Sequence, residues 1–169
     1  MSPGDNAVKA LVFTLGLLVA SAPPAAAGEP IKWIVSTTGG SQIQIPSFFA
    51  DGKVEHMDVT ANGTRFQPKS YPDVQFDQYK PNSTANPYDE IEAMFINDDD
   101  DYHIYYKLDK RDLGVISGTR VNSNVIFYGM CQKHDDQNFI CFDLTWNMKD
   151  QAIFGPIAKR IARSFRKNG

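Results

Sequence analysis

Four apolar runs of strand length follow one another in the second half of this chain, at residues 102–108, 113–117, 125–131 and 139–145. The spacers between them are only four to seven residues long. Parallel neighbours need a crossover of a dozen residues or more, so spacers this short leave an antiparallel meander. An amphipathic helix closes the chain. Gly155-Pro156 marks its start, Ile157, Ile161 and Phe165 recur every four residues, and Ala158 and Ala162 lie beside them. Lys159, Arg160, Arg163, Arg166 and Lys167 fill the other face, where cations near a C-terminus complement the helix dipole. A meander followed by such a helix predicts an α+β fold, with the helix packed on a face of the sheet.

The first half reads less sharply. Residues 31–37 are extended, Thr38-Gly39-Gly40 is a turn, and Ser41-Gln42-Ile43-Gln44-Ile45-Pro46 alternates polar and apolar until proline stops it. Phe48-Phe49 tucks an apolar corner under the sheet. Residues 54–60 and 74–79 are further strand candidates, Asn62-Gly63 supplies a tight turn, and residues 80–85 are loop. In Asn86-Pro87-Tyr88-Asp89-Glu90, Asn can cap, Pro suits the first helical position, and the acids face the positive end of the dipole. Ile91, Met94 and Phe95 give this short helix its apolar side.

The N-terminus sets the compartment. Lys9 precedes an apolar run at 10–22, Pro23-Pro24 breaks it, and Ala25-Ala26-Ala27 supplies small residues before Gly28. That order marks a secretory signal peptide, residues 1–27, cleaved before Gly28. As a helix the run rises only about 20 Å, short of a bilayer core. The mature chain, 28–169, is the size of one α+β domain, and its weak negative charge gives no reason to expect nucleic acid or an anionic membrane as partner. Export places Cys131 and Cys141 where a pair is more often bonded than unbonded. A hairpin through His134-Asp135-Asp136-Gln137, centred on Asp136, sets 131 opposite 141 and predicts a structural disulfide. No Cys-x-x-Cys motif argues for a redox site.

Several of these pieces resemble a family of small, exported, functionally uncharacterised alpha-proteobacterial proteins. They are Tyr102-His103-Ile104-Tyr105-Tyr106, Leu113-Gly114-Val115-Ile116-Ser117-Gly118, Val125-Ile126-Phe127-Tyr128 and the segment from Ile157 to Phe165. Ile43-Gln44-Ile45-Pro46 and Asn62-Gly63-Thr64-Arg65-Phe66 fit more loosely. The order of pieces is also similar to the PsbP/Mog-like fold, an antiparallel sheet sandwiched by helices. The resemblance implies that fold and an accessory or binding role, and it assigns no catalytic residue. Where relatives often carry an aromatic pair, this chain has Asp112-Leu113-Gly114, which implies a looser core there.

Recognisable chemistry is sparse. Oxygen ligands at 97, 99 and 101 of Asn97-Asp98-Asp99-Asp100-Asp101 suit calcium, but an EF-hand loop starting at Asn97 needs Gly at 102 and Glu at 108, where Tyr102 and Leu108 stand. With His103 adjacent, Asp99, Asp101 and His103 remain weak metal candidates beside the plainer reading of a solvated loop. His56, His103 and His134 make no ligand spacing on a helix, and Ser41 and Ser117 each lack part of Gly-x-Ser-x-Gly. Asp89-Glu90 and Asp135-Asp136 sit at a helix start and a turn, where acids are ordinary. The sequons Asn62-Gly63-Thr64 and Asn82-Ser83-Thr84 are incidental in a bacterial protein.

No cofactor or catalytic residue is expected. The expected role is a periplasmic or secreted, non-catalytic accessory or protein-interaction domain of the envelope. One alternative is a carrier of a small apolar ligand, held between sheet and helix beneath Phe48, Phe49, Tyr105 and Phe127. The least favoured is a metal-dependent hydrolase using Asp101 and His103.

Overall fold

The computed structural model describes residues 30–57, 61–81, 86–96, 101–135 and 138–167. The expected signal peptide, the sequon Asn82-Ser83-Thr84, Asp99 with the rest of the acidic run up to Asp100, and Asp136 lie outside the described residues. The chain forms β1 (Trp33–Thr38), β2 (Ser41–Pro46), β3 (Lys53–Met57), β4 (Ala61–Gln67), β5 (Gln75–Pro81) and α1 (Pro87–Phe95). The meander follows as β6 (Tyr102–Lys110), β7 (Leu113–Arg120), β8 (Val125–Lys133) and β9 (Phe139–Asn147). α2 (Gln151–Ser164) and a short β10 (Arg166–Lys167) close the chain.

Seven strands form one antiparallel sheet in the order β3-β4-β5-β9-β8-β7-β6. After β5 the chain crosses one face as α1, reaches the far edge at β6, and meanders back until β9 pairs with β5. A smaller sheet, β1-β2-β10, packs with α2 on the opposite face. The large sheet is therefore sandwiched by helices, as expected for the α+β class. The sequence did not signal β10 or the second sheet.

Strand alternation divides the core into two layers. Ile140, Phe142, Leu144 and Trp146 of β9 face α2, where they meet Phe154, Ile157 and Ile161, together with Ile43, Ile45 and Phe49. Cys141 and Phe139 face α1, joining Tyr88, Ile91, Phe95 and Phe127. Phe95 stacks on Phe127 with ring centroids 4.6 Å apart.

α1 starts where the sequence places it. The Asn86 side-chain oxygen accepts hydrogen bonds from the backbone N–H groups of Tyr88 and Asp89, both at 2.9 Å. Its seat depends on two glycines. A Cβ at Gly114 would fall 2.5 Å from the Pro87 carbonyl, and one at Gly129 2.5 Å from Ile91 and Phe95 side-chain atoms. Asp112-Leu113-Gly114 therefore marks close helix–sheet contact rather than a looser core. In the β1–β2 turn, Gly39 and Gly40 take φ values of 58° and 81°, the left-handed pair that a two-residue hairpin demands.

Three expectations need correction. Asn62-Gly63 is no turn, because both residues lie inside β4. Gly63 is needed there for another reason: a Cβ would fall 2.6 Å from the Gln78 carbonyl oxygen on β5. The C-terminal helix starts at Gln151, with Pro156 inside it. Phe154, fully buried, continues the apolar face one turn earlier, and that packing outweighs the bond to the Ala152 carbonyl that proline cannot donate. The helix also stops at Ser164, leaving Arg166 and Lys167 in β10. The Ser164 hydroxyl donates to the Ile161 carbonyl and accepts from the Gln44 backbone N–H, each at 2.8 Å, which turns the chain onto β2.

The structure contains the Cys131–Cys141 disulfide. The two residues are register partners on β8 and β9 with Cα atoms 4.1 Å apart, the close spacing of a non-hydrogen-bonded pair.

Candidate functional site

α2 covers only part of its face of the sheet. It lies over β2, β9 and β8, so β6 and β7 are left open beside it. That gap is a groove of about 550 Å³. Its sheet side is built from Tyr106 of β6, Ser117 of β7, Ile126 and Tyr128 of β8, and Trp146 of β9. Its helix side is Gln151, Gly155, Pro156, Ala158 and Lys159. Tyr105 joins the lining because a bulge between Ile104 and Tyr106 breaks the alternation of β6.

The side chains are well supported. Trp146 Nε1 donates to Gln151 Oε1 at 2.9 Å, fixing one wall. Thr119 Oγ1 donates to the Tyr105 hydroxyl at 3.0 Å, and the His103 ring meets Tyr105 edge-on at 4.7 Å. Tyr128 stacks on Phe142 in the core, and burial, with Tyr106 nearby, raises its phenol above the ordinary value. Tyr105 and Tyr106 remain 61% and 50% exposed, a surface in need of a reason.

The basic face expected for the last helix is divided. Lys159 borders the groove. Arg160 turns the other way and lies over the Trp33 ring at 3.9 Å. Arg160, Arg163 and Arg166 line a separate pocket of about 290 Å³ with Gln44 and Ser164.

A second polar cluster lies on the α1 face. Asp77 of β5 and Asp143 of β9 are register partners, 1% and 3% exposed. Arg65, next across on β4, donates to both Asp77 oxygens, with Nη2–Oδ2 at 2.7 Å and Nε–Oδ1 at 2.9 Å. Gln75 Nε2 donates to the same carboxylate at 2.9 Å. Asp143 Oδ2 has no hydrogen-bond partner, nor do the Tyr79 hydroxyl and Arg120 Nε. Burial, then the Asp77 charge, push the Asp143 carboxyl well above the usual range, against the opposing pull of Arg65 and Arg120. Both carboxylates are enclosed, while Arg65 stays 36% exposed at the end of the row.

The residues singled out from sequence fare unevenly. Asp101 and His103 are exposed at the start of β6. Among the described residues no group of three His, Cys, Asp or Glu side chains could hold a metal ion. Of the four aromatics placed beneath the helix as a ligand site, only Tyr105 reaches the groove. Phe48 and Phe49 fill the core beside Phe154, and Phe127 points to the α1 face, because alternation on β8 sends 126 and 128 the other way. Sequence reasoning does not single out Tyr106, Tyr128 or Trp146 as groove residues, and it reads Lys159 only as one cation of the basic helix face. They sit on four different elements, and only the exposed tyrosine pair in β6 hinted at an open face.

Among the described residues no helix is long and apolar enough to cross a membrane. No family model and no curated protein matches the chain. Among solved structures it is similar to the solution structure of cyanobacterial PsbP (CyanoP) from Synechocystis sp. PCC 6803. The TM-score is 0.58 at 11% identity, covering 90% of this chain and 100% of that one. That likeness, with the large antiparallel sheet and the closing helix, shows a PsbP-like α+β fold.

Proposed function

We propose that this chain is an exported, non-catalytic accessory domain of the bacterial envelope that works by holding a partner in the tyrosine-lined groove. The carrying observation is the groove itself: Tyr105 and Tyr106 of β6 are left exposed beside the first half of α2. Export rests on the signal-peptide pattern of residues 1–27, and the disulfide and PsbP-like fold are consistent with life outside the cytoplasm. The alpha-proteobacterial family resemblance points the same way. A non-catalytic role is favoured by the fold, on analogy alone.

Affinity capture from envelope extract tests this reading, comparing the mature chain with a Tyr105→Ala/Tyr106→Ala double variant. A species retained by the wild type and reduced at least tenfold by the variant is the expected result. Equal retention by both would place binding elsewhere and remove the groove from the argument.

A second reading, a periplasmic carrier of a small apolar ligand, is favoured by the groove volume. About 550 Å³ lies within the range of about 300–1,000 Å³ typical of small-molecule sites. Native mass spectrometry of protein taken from the periplasm distinguishes the two, since a carrier would show a small non-covalent adduct lost on Tyr106→Ala.

A further inference from the structure

Resting on the carrier reading, we infer that the groove takes a small molecule with a flat apolar body and one anionic group, the anion lying at Lys159. Tyr106 on β6 and Tyr128 on β8 present ring surface from either side of β7, with the nearly buried Trp146 behind them, which suits a planar ring system stacked or edge-on. The Trp146 N–H already serves Gln151 and the indole is 3% exposed, so it closes the groove without offering a donor. The Tyr105 hydroxyl accepts from Thr119 and keeps its own proton to donate.

Charge sets the other half of the specificity. Lys159 is the one formal charge among the groove's lining residues, and none of them is acidic. The ion pairs between described residues use Lys53, Arg65, Lys107 and Lys149, so Lys159 has no carboxylate partner among them. Its neighbour Arg160 is committed to Trp33 on the other side of α2. An aromatic pocket can also attract a cation through its ring faces. Here the Lys159 ammonium at the rim opposes a cation and supplies the partner that an anion lacks elsewhere in the groove.

Three probes sharing one ring system separate these terms: 1-naphthaleneacetate, its neutral amide 1-naphthaleneacetamide, and 1-naphthalenemethylammonium. Calorimetric titration of the disulfide-intact mature chain should show the carboxylate binding at least tenfold tighter than the amide, with the ammonium weakest. Lys159→Gln, on an exposed position, should bring carboxylate and amide within twofold, chiefly by weakening the carboxylate. Tyr106→Ala should weaken both. Equal binding of carboxylate and amide to the wild type would overturn the charge assignment while leaving the carrier reading intact, as would tightest binding by the ammonium. A preference that survives Lys159→Gln would overturn the role of that residue. Saturation by none of the probes would overturn both the inference and the carrier reading.

Discussion

Asp143 faces Asp77 across a strand pair, 3% exposed and with one carboxyl oxygen unbonded, so its charged form is disfavoured where it sits. The folded protein holds this proton more tightly than the unfolded chain, whose Asp titrates near about pH 4. The associated stability is fully present below that pH and is lost as pH rises through the folded-state value. Asp143→Asn, which cannot ionise, should remove this loss. Its unfolding midpoint should exceed the wild type by a margin that grows from pH 4 upward, reaching about 1–3 kcal/mol on the alkaline side, as thermal melts across pH would show. Arg65 acts in the opposite sense. Arg65→Met leaves the buried Asp77 carboxylate without its bidentate partner and should cost roughly 2–3 kcal/mol in urea unfolding, moderated because Arg65 is 36% exposed. None of this was legible in the sequence, where Asp77 and Asp143 are ordinary acids in separate strand patterns and only register brings them together.

At the scale of elements, local signals carried furthest where neighbours in sequence are neighbours in space. The four-strand meander, the Asn86 cap and the 131–141 register all follow from residues close together in the chain. Reduction of the disulfide should therefore loosen one hairpin, costing about 2–3 kcal/mol and lowering Tm by about 6–10 °C, measured by melts with and without reductant. The signals failed where a distant element overrides a local preference. Asn62-Gly63 looks like a turn, yet its glycine serves the approach of β5; Gly155-Pro156 looks like a helix start, yet Phe154 anchors an earlier turn. Gly129 marks the same kind of demand, made by α1. Gly129→Ala should press against Ile91 and Phe95 and destabilise by about 1–3 kcal/mol, with hydrogen exchange quickening in α1 before it does in α2.

For the whole molecule, the decisive contact is β5 with β9, strands that the sequence separates by the helix and the entire first part of the meander. Pairing this remote is invisible to periodicity, and the groove depends on it, because α2 rests on both β9 and β2. Expressed alone, residues 101–169 would lack the β5 edge and the β2 cover of α2. That fragment should give a far-UV spectrum without the intact domain's cooperative melt, and adding residues 28–100 should restore the transition. The PsbP-like fold was legible from the order of elements, whereas the groove was not, since its lining is drawn from β6, β7, β8, β9 and α2.

Strand β8 has a further consequence. Its residues point alternately to the two layers, so Tyr128 in the groove is bonded directly to Phe127 and Gly129, on which Phe95 and Ile91 rest. The strand has the groove on one face and α1 on the other. Interiors packed at crystal-like density do not absorb displacements silently. A molecule that shifts Tyr128 on seating will be read out on the opposite face, as displaced backbone amide resonances in Ile91 and Phe95, where no ligand atom comes near.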